Sequence, residues 1–495
     1  MIGALLARRL AVCGGAVAFC LAAVLNSGGY RYGMGDQAFY VPAVIQHLDP
    51  SLFPRDRLLL HAQDQFMLFD DLIAAFARGL GASVPTVFFG LYFAGLVLLF
   101  TAVVATGRMM YGSWWTIALL TAILSLRHRI TQTGANTLEA YFQPRMMAFA
   151  VGVWAIVSYL RGRGGLALAL VAVVAVLHPT TALWFGIWIA VALAVSEYAW
   201  RAPVVALAAI CGVAGLWMLG FGPLRGHLVR MDPAWASVLA GKDYIFPSDW
   251  GAAFWIVNLG YLAVTLGVYR LRRRRGIALS RESGLVAGSA ALVCVFLVSW
   301  PLMNAGVALA LQLQTSRVFW MLDLMASIYM AWLLAEGLPL RVPSRVIVAG
   351  MIALAVGRGI YVMRAEHSDN AVVRIGLPRD NWTDAMNWIA KTPAGSHVLA
   401  DPGHAWKYGI SVRVAGERDV YLEEVKDTSL ALYSREVAMW VLGRIQDVRN
   451  FDSLTPEQLR RLAASYDIDY LVVDREIDLP IVYRNDQFRV YALQP

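Results

Sequence analysis

The sequence predicts a mainly α, polytopic transmembrane helical bundle of about eleven spans, carrying a small α/β domain after residue 366. Three observations predict it. Hydrophobic residues make up 59% of the 495 positions and charged residues only 15%, and the mean hydropathy is +0.56, values foreign to a soluble domain of this length. Apolar segments of spanning length recur from residue 9 to residue 363, separated by short arginine-bearing loops. The tail, 366–495, then changes to the composition of an ordinary soluble domain.

Each segment is justified in turn. A crossing needs about 20 apolar residues, and candidates lie at 9–26, 85–106, 113–126, 145–160, 164–178, 180–196, 203–221, 252–269, 284–303, 318–336 and 345–363. The pair 164–178 and 180–196 runs through Pro179, so it reads either as a hairpin or as one long broken helix. Arginines are retained on the cytoplasmic side in short loops. Arg8 and Arg9 place the amino terminus inside, and counting from there puts Arg108, Arg161, Arg163, Arg201, the run Arg270, Arg272, Arg273, Arg274 and Arg275, and Arg341 and Arg345 on that side too. An odd number of crossings leaves the tail outside. The first segment resembles a signal peptide but no cleavage site follows it, so it reads as an uncleaved first span.

The formal charge of +8 sits largely in these loops and serves topology, which argues against a nucleic-acid partner. Cys13, Cys20, Cys211 and Cys294 all fall in apolar spans, so neither a disulfide framework nor a zinc spacing exists. The chain also lacks a Gly-rich nucleotide cradle.

Two exterior loops are long. Residues 27–84 carry helical patterns at Gln37–Leu48 and Gln65–Leu80; in the second, Phe66, Phe69, Leu72, Ile73 and Phe76 form the stripe of a helix lying on an interface, with Asp70 and Asp71 on its solvated side. Residues 222–250 form the other. In the tail, Asp380 or Thr383 caps a helix through Ile389, Ser396–Ala400 and Tyr470–Val473 read as strands, Leu430–Ile445 and Pro456–Ala464 as helices, and Ile481–Tyr483 with Phe488–Tyr491 as a hairpin. The tail is expected to give support or acceptor contact, not chemistry.

The polar residues with chemical potential, Asp36, Asp56, Glu139, Arg145, His178 and Arg317, all fall on the side assigned to the exterior. Arg145 and Arg317 each stand at the start of a span whose free amides and positive dipole end favour an anion at headgroup depth. A lipid phosphate suits them, and snorkelling to headgroups is the plainer alternative. His178, before Pro179, either contacts substrate or bonds a freed carbonyl. Glu139, in TLEAYFQPR, contacts substrate or pairs with Arg145. Asp36, in YGMGDQAFYVP, has the position of a general base for a hydroxyl, or it caps the helix that follows. Asp56, in FPRD, is the second carboxylate of that loop, or a turn former.

The motifs GDQAFYVP, DPSLFPRD, FQPR and LHP, with a tail holding WI-x-x-TP, resemble bacterial membrane proteins of the GT-C glycosyltransferase superfamily. The resemblance covers the architecture of most of the chain. It implies transfer of a sugar, with inversion, from a polyprenyl-phosphate-linked donor to an extracytoplasmic acceptor glycan, lipid or protein, at the bacterial inner membrane. The loop aspartate used as base maps to Asp36, with Gln37 beside it in the substrate site. Many members carry an acidic pair there; Asp36-Gln37 departs from it, which leaves use of a divalent cation open. A transporter or flippase of a lipid-linked or anionic solute is the rival reading, with Asp323 and Arg358 as its intramembrane charges. A non-catalytic envelope scaffold is the third.

Overall fold

The computed structural model describes residues 2–339 and 342–494, with side chains from residue 10 onward. Arg341 and the side chains of Arg8 and Arg9, used in the topology argument, lie outside the described residues. Helices stand at all eleven predicted span positions: Ile2–Asn26, Val84–Met110, Trp114–Ser125, Pro144–Leu160, Gly164–Leu177, Pro179–Ser196, Arg201–Gly220, Ala252–Arg274, Glu282–Asn304, Val318–Trp332 and Ser344–Tyr361. Seven of these positions hold helices long and apolar enough to cross a membrane, and the other four hold shorter apolar helices. The protein is a membrane protein built mainly of helices.

Local sequence sets several boundaries. Pro144 and Pro179 open their helices at the first turn, where a missing N–H costs nothing. His178 is extended (φ −159°, ψ 97°), as a residue before proline must be, so the 164–196 stretch forms two helices packed on each other. Gly284 and Gly288, one turn apart, let the Glu282–Asn304 helix approach the Pro179–Ser196 helix closely: a Cβ at Gly288 would lie 2.3 Å from the Trp188 ring.

Contacts sort by end of the bundle. At one end Arg272 holds Glu282 (2.9 Å) and the Met110 carbonyl, Glu336 accepts from the Ser113 amide (3.0 Å), and Arg281 pairs with Glu197. At the other, Asp36 meets Lys426, Trp235 donates to the Ala431 carbonyl, and Asp56 meets Arg413. Every one of these contacts joins segments that the arginine count assigns to the same side. Arg272 itself is no solvated topology charge; it is buried and paired with Glu282.

The first loop folds into three helices, Gln37–Leu48, Arg57–Asp64 and Phe69–Leu80. The apolar stripe of the third is split. Phe69 and Ile73 enter the core, while Leu68, Leu72, Phe76 and Leu80 stay exposed. Asp70, expected to be solvated, is only 2% exposed, because this rotation turns it inward, and burial pushes its carboxyl well above the usual range. Asp71 remains exposed beside His47 (3.1 Å).

The tail segment is tied to the loop by a short parallel pairing of Tyr30–Arg31 with Val373–Arg374. It carries a five-stranded sheet in the order Asp419–Val420, His397–Ala400, Tyr470–Val473, Arg489–Ala492 and Ile481–Arg484, with the first three strands parallel and the last two antiparallel additions. Asp380 caps Asn381–Ile389 through the Thr383 amide (2.8 Å), and Thr455 and Gln458 form a reciprocal capping box at Pro456–Tyr466. The helix expected over Leu430–Ile445 is two, Glu424–Leu430 and Arg435–Asp447, because Ser434 caps a fresh start.

Candidate functional site

A cavity of about 1110 Å³ lies where the first loop, the loop after Ser125, the starts of the Pro144, Pro179 and Val318 helices, and the tail converge. Its lining joins Asp36, Glu139, Arg145, His178 and Arg317 to apolar side chains that include Leu183, Met218, Leu224 and Leu313. Five of the seven residues singled out from sequence therefore meet, although they span positions 36 to 317.

Asp36 occupies the N-cap position of Gln37–Leu48 but makes no side-chain capping bond, which frees its carboxylate for other contacts. The backbone reaches it through Gly33 (φ +85°) and Gly35 (φ +57°); a Cβ at Gly35 would strike the Tyr141 ring at 2.3 Å. Oδ1 accepts from Lys426 Nζ (2.8 Å) and Oδ2 lies 3.5 Å from Arg145 Nη2. Burial pushes this carboxyl up, but the charges of Lys426 and Arg145 outweigh it and hold the group well below the usual carboxylate range. It is ionised, and 23% of the side chain remains accessible.

Glu139 takes a bond from Arg145 Nη2 on Oε1 (3.1 Å), shares Oε1 with Asn136 (2.9 Å), and lies 3.4 Å from Arg127 through Oε2. Arg145 is thus held between Asp36 and Glu139. Arg317 is set by a short 3-10 turn, Thr315–Arg317, that follows left-handed Gln314 (φ 49°). Its Nε is buried without a hydrogen-bond partner and, among the described residues, it has no ion pair. His178 Nδ1 accepts the Thr181 amide (3.3 Å), so it caps the helix that Pro179 opens instead of bonding a freed carbonyl. With Nδ1 accepting, the ring is neutral and carries its proton on Nε2, a donor and not a cation.

The tail contributes more than support. Lys426 and Tyr433 line the cavity, and Lys242 of the 221–251 loop joins them, donating to the Val425 carbonyl (2.8 Å) and Ser429 Oγ (2.9 Å). Burial, then the charge of Lys426, pushes the Lys242 amine down to about 8. Sequence reasoning missed both lysines. A signal existed: the chain has four lysines, Lys242, Lys391, Lys407 and Lys426, among 42 basic residues, and two of the four face this cavity.

Asp56 and Gln37 stand apart from the cavity. Asp56 is sealed: its carboxylate takes Arg413 Nε (2.8 Å) and the Val420 amide (3.1 Å), and Arg413 also grips Asp427 (2.6 Å). It fastens loop to tail. Gln37 is equally buried, accepting from the Gly33 amide (2.6 Å) and donating to the Phe142 carbonyl (2.8 Å), so it shapes the turn under Asp36. Asp323 pairs with His128 Nδ1 (2.9 Å) and Arg358 with Asn26 Oδ1 (2.8 Å), so the two intramembrane charges of the transporter reading are each partnered.

The residues present do not suit a divalent cation. Among the described residues no three His, Cys, Asp or Glu side chains gather. The oxygens of Asp36 and Glu139 are already engaged by Lys426, Arg145, Arg127 and Asn136, so cationic side chains stand where a metal would.

No family model and no curated protein matches the chain. Among solved structures it is similar to the arabinofuranosyltransferase AftD from Mycobacteria, at 13% identity and a TM-score of 0.48, over 98% of this chain and 40% of that one. It is also similar to the Archaeoglobus fulgidus oligosaccharyltransferase in its apo form, at 13% identity and a TM-score of 0.43, over 93% of this chain and 69% of that one. The chain thus spans about two fifths of the length of the mycobacterial protein.

Proposed function

We propose that the protein is an inverting GT-C-type glycosyltransferase of the bacterial inner membrane, moving a sugar from a polyprenyl-phosphate-linked donor to an extracytoplasmic acceptor. One observation carries the reading: an ionised, partly accessible carboxylate, a half-buried arginine with no ion pair among the described residues and a histidine ring whose Nδ1 is an acceptor share a single cavity with apolar walls. The apolar side takes the start of the prenyl chain, and the cationic side takes its phosphate.

In the reaction, the acceptor hydroxyl attacks the anomeric carbon while the bond from that carbon to the phosphate oxygen breaks on the opposite face. The hydroxyl proton passes to Asp36. The phosphate leaves with one more negative charge, which Arg317, Arg145 and the Nε2–H of His178 are placed to stabilise, as preorganised donors do most effectively in a water-poor site. Lys426 holds Asp36 ionised between turnovers, and must loosen as the proton arrives. No step passes through a metal.

The tail from about residue 366 lies outside the membrane in this reading and closes the cavity through Lys426 and Tyr433. The test is transfer from a polyprenyl-phosphate-linked sugar in membranes carrying wild type or Asp36→Asn. Loss of transfer with intact donor binding supports the base role, and undiminished transfer overturns it.

A further inference from the structure

A second cationic group lines the same cavity, separate from the Asp36 side. Arg31, Arg127, Arg358 and His367 all face it. They come from the strand after the first helix, the loop after Ser125, the end of the Ser344–Tyr361 helix and the start of the tail. Three of the four carry permanent charge.

Arg31 stands out among them. Arg31 is only 8% exposed, its Nε is buried without a hydrogen-bond partner, and among the described residues it makes no ion pair. An arginine in that condition has given up water without a protein acceptor in return, which is costly unless an anion completes it. Its guanidinium and the His367 ring converge over Gly28: a Cβ added there would lie 3.2 Å from Arg31 Nη2 and 2.8 Å from His367 Nε2. Gly28 holds φ +82°, so the backbone makes room that another side chain would fill.

The local field is positive. Burial, then the charge of Arg31, lowers the His367 pKa, with Glu366 the only opposing neighbour of note. Arg374, paired in register with Arg31, adds a further cation, partly offset by Asp380. Glu139 offers one oxygen to Arg127 and the other to Arg145, so it stands between the two cationic groups and offsets one of their charges, leaving the set net positive. Arg358 is anchored on Asn26 (2.8 and 3.1 Å), which fixes its direction.

We propose that Arg31, Arg127, Arg358 and His367 form a second anion site, for a phosphate-type oxyanion distinct from the one Arg145 and Arg317 face. A tetrahedral oxyanion suits it because a fixed guanidinium fork offers two parallel donors. The oxyanion belongs either to a membrane phospholipid headgroup or to a soluble or acceptor-borne phosphate. The site does not depend on sugar transfer and stands if that reading fails.

The experiment titrates inorganic phosphate into the full-length protein in neutral detergent, at constant ionic strength with chloride as control. Wild type is expected to show two classes of site. Arg31→Gln should weaken one by about tenfold or more, the usual loss of a charge-assisted bond, and leave the class that Arg145→Gln removes. Arg127→Gln, at an exposed position with 38% of its side chain accessible, repeats the test should Arg31→Gln fail to fold. Native mass spectrometry from phosphatidylglycerol and phosphatidylcholine vesicles separates the sources. Phosphatidylglycerol retained by wild type and lost in the variants identifies a headgroup site; phosphate binding without lipid retention identifies a soluble or acceptor phosphate. A single class of site in wild type, or phosphate binding unchanged in both Arg31→Gln and Arg127→Gln, overturns the proposal.

Discussion

Asp36 and Asp56 belong to one loop, each follows a turn, and each meets a basic residue of the tail, yet the two sites are opposites. Asp36 is partly accessible, uncapped and held by one lysine and one longer arginine contact in a cavity. Asp56 is fully enclosed, with bonds from Arg413 and a strand amide, and Arg413 is in turn saturated by Asp427. A carboxylate that keeps accessible surface can exchange partners during a reaction. One whose neighbours fill its surroundings can only hold pieces together. The comparison shows that charge pairing alone does not mark a site; what counts is whether the pair adjoins open volume.

The largest effects would break this contrast outright. Asp36→Asn should lower transfer by roughly 10²- to 10⁴-fold, the range for a lost general base, with a smaller fall in thermal midpoint than Asp56→Asn, because Arg145 keeps Glu139 as a partner. Asp56→Asn should do the reverse. It leaves the Arg413 charge only partly compensated inside the protein, a loss of about 3–5 kcal/mol by the measure of broken buried pairs, read as a lower midpoint of the purified protein, while turnover per folded molecule persists. If Asp56→Asn lost turnover at full stability, the two carboxylates would not differ in kind.

A smaller effect sharpens the Asp36 side. Lys426→Gln removes the nearest charge holding that carboxyl low, so its pKa rises and the acid limb of the pH–rate profile moves to higher pH. An acid limb that stays in place would show that Lys426 does not govern Asp36.

Smaller again is a pH effect around Asp56. Burial, followed by the charge of Asp56, pushes Asp419 up to about 7; burial likewise pushes Glu423 up to about 7, against the pull of Arg413. Both carboxyls bind protons more tightly folded than unfolded, where carboxyls titrate near 4. Their protonated forms therefore favour the fold at mildly acid pH, and stability declines as pH rises from about 4 through 7, by at most about 1.4 kcal/mol per proton per pH unit. Thermal scans of wild type against Asp419→Asn and Glu423→Gln should show that slope flatten in the variants. The smallest effect is the control: Asp71→Asn, exposed beside His47, should shift stability by no more than about 0.5 kcal/mol.

The apolar helices, their order and the grouping of their connecting loops at two ends of the bundle were legible because a bilayer imposes one rule on every residue it touches: about 20 apolar positions per crossing and arginine on one flank. Arg145, His178 and Arg317 were legible for a related reason, since polar groups at span ends stand out against an apolar background. Which carboxylate faces the cavity was not written there. The resemblance favoured Asp36 as base, yet PRD also offered a carboxylate in the same loop, and only the packing of that loop on Arg413 takes Asp56 out of reach. Lys426 lies 390 positions from Asp36, and Asp70 is turned inward by a rotation of its helix that the stripe of apolar residues does not resolve. Periodicity along a chain reports which face is apolar, but a site made by segments meeting end to end depends on distances that no local pattern carries. The sequence by itself determined a membrane bundle with its polar chemistry gathered at one end; the tertiary structure alone decided which of those groups share a cavity.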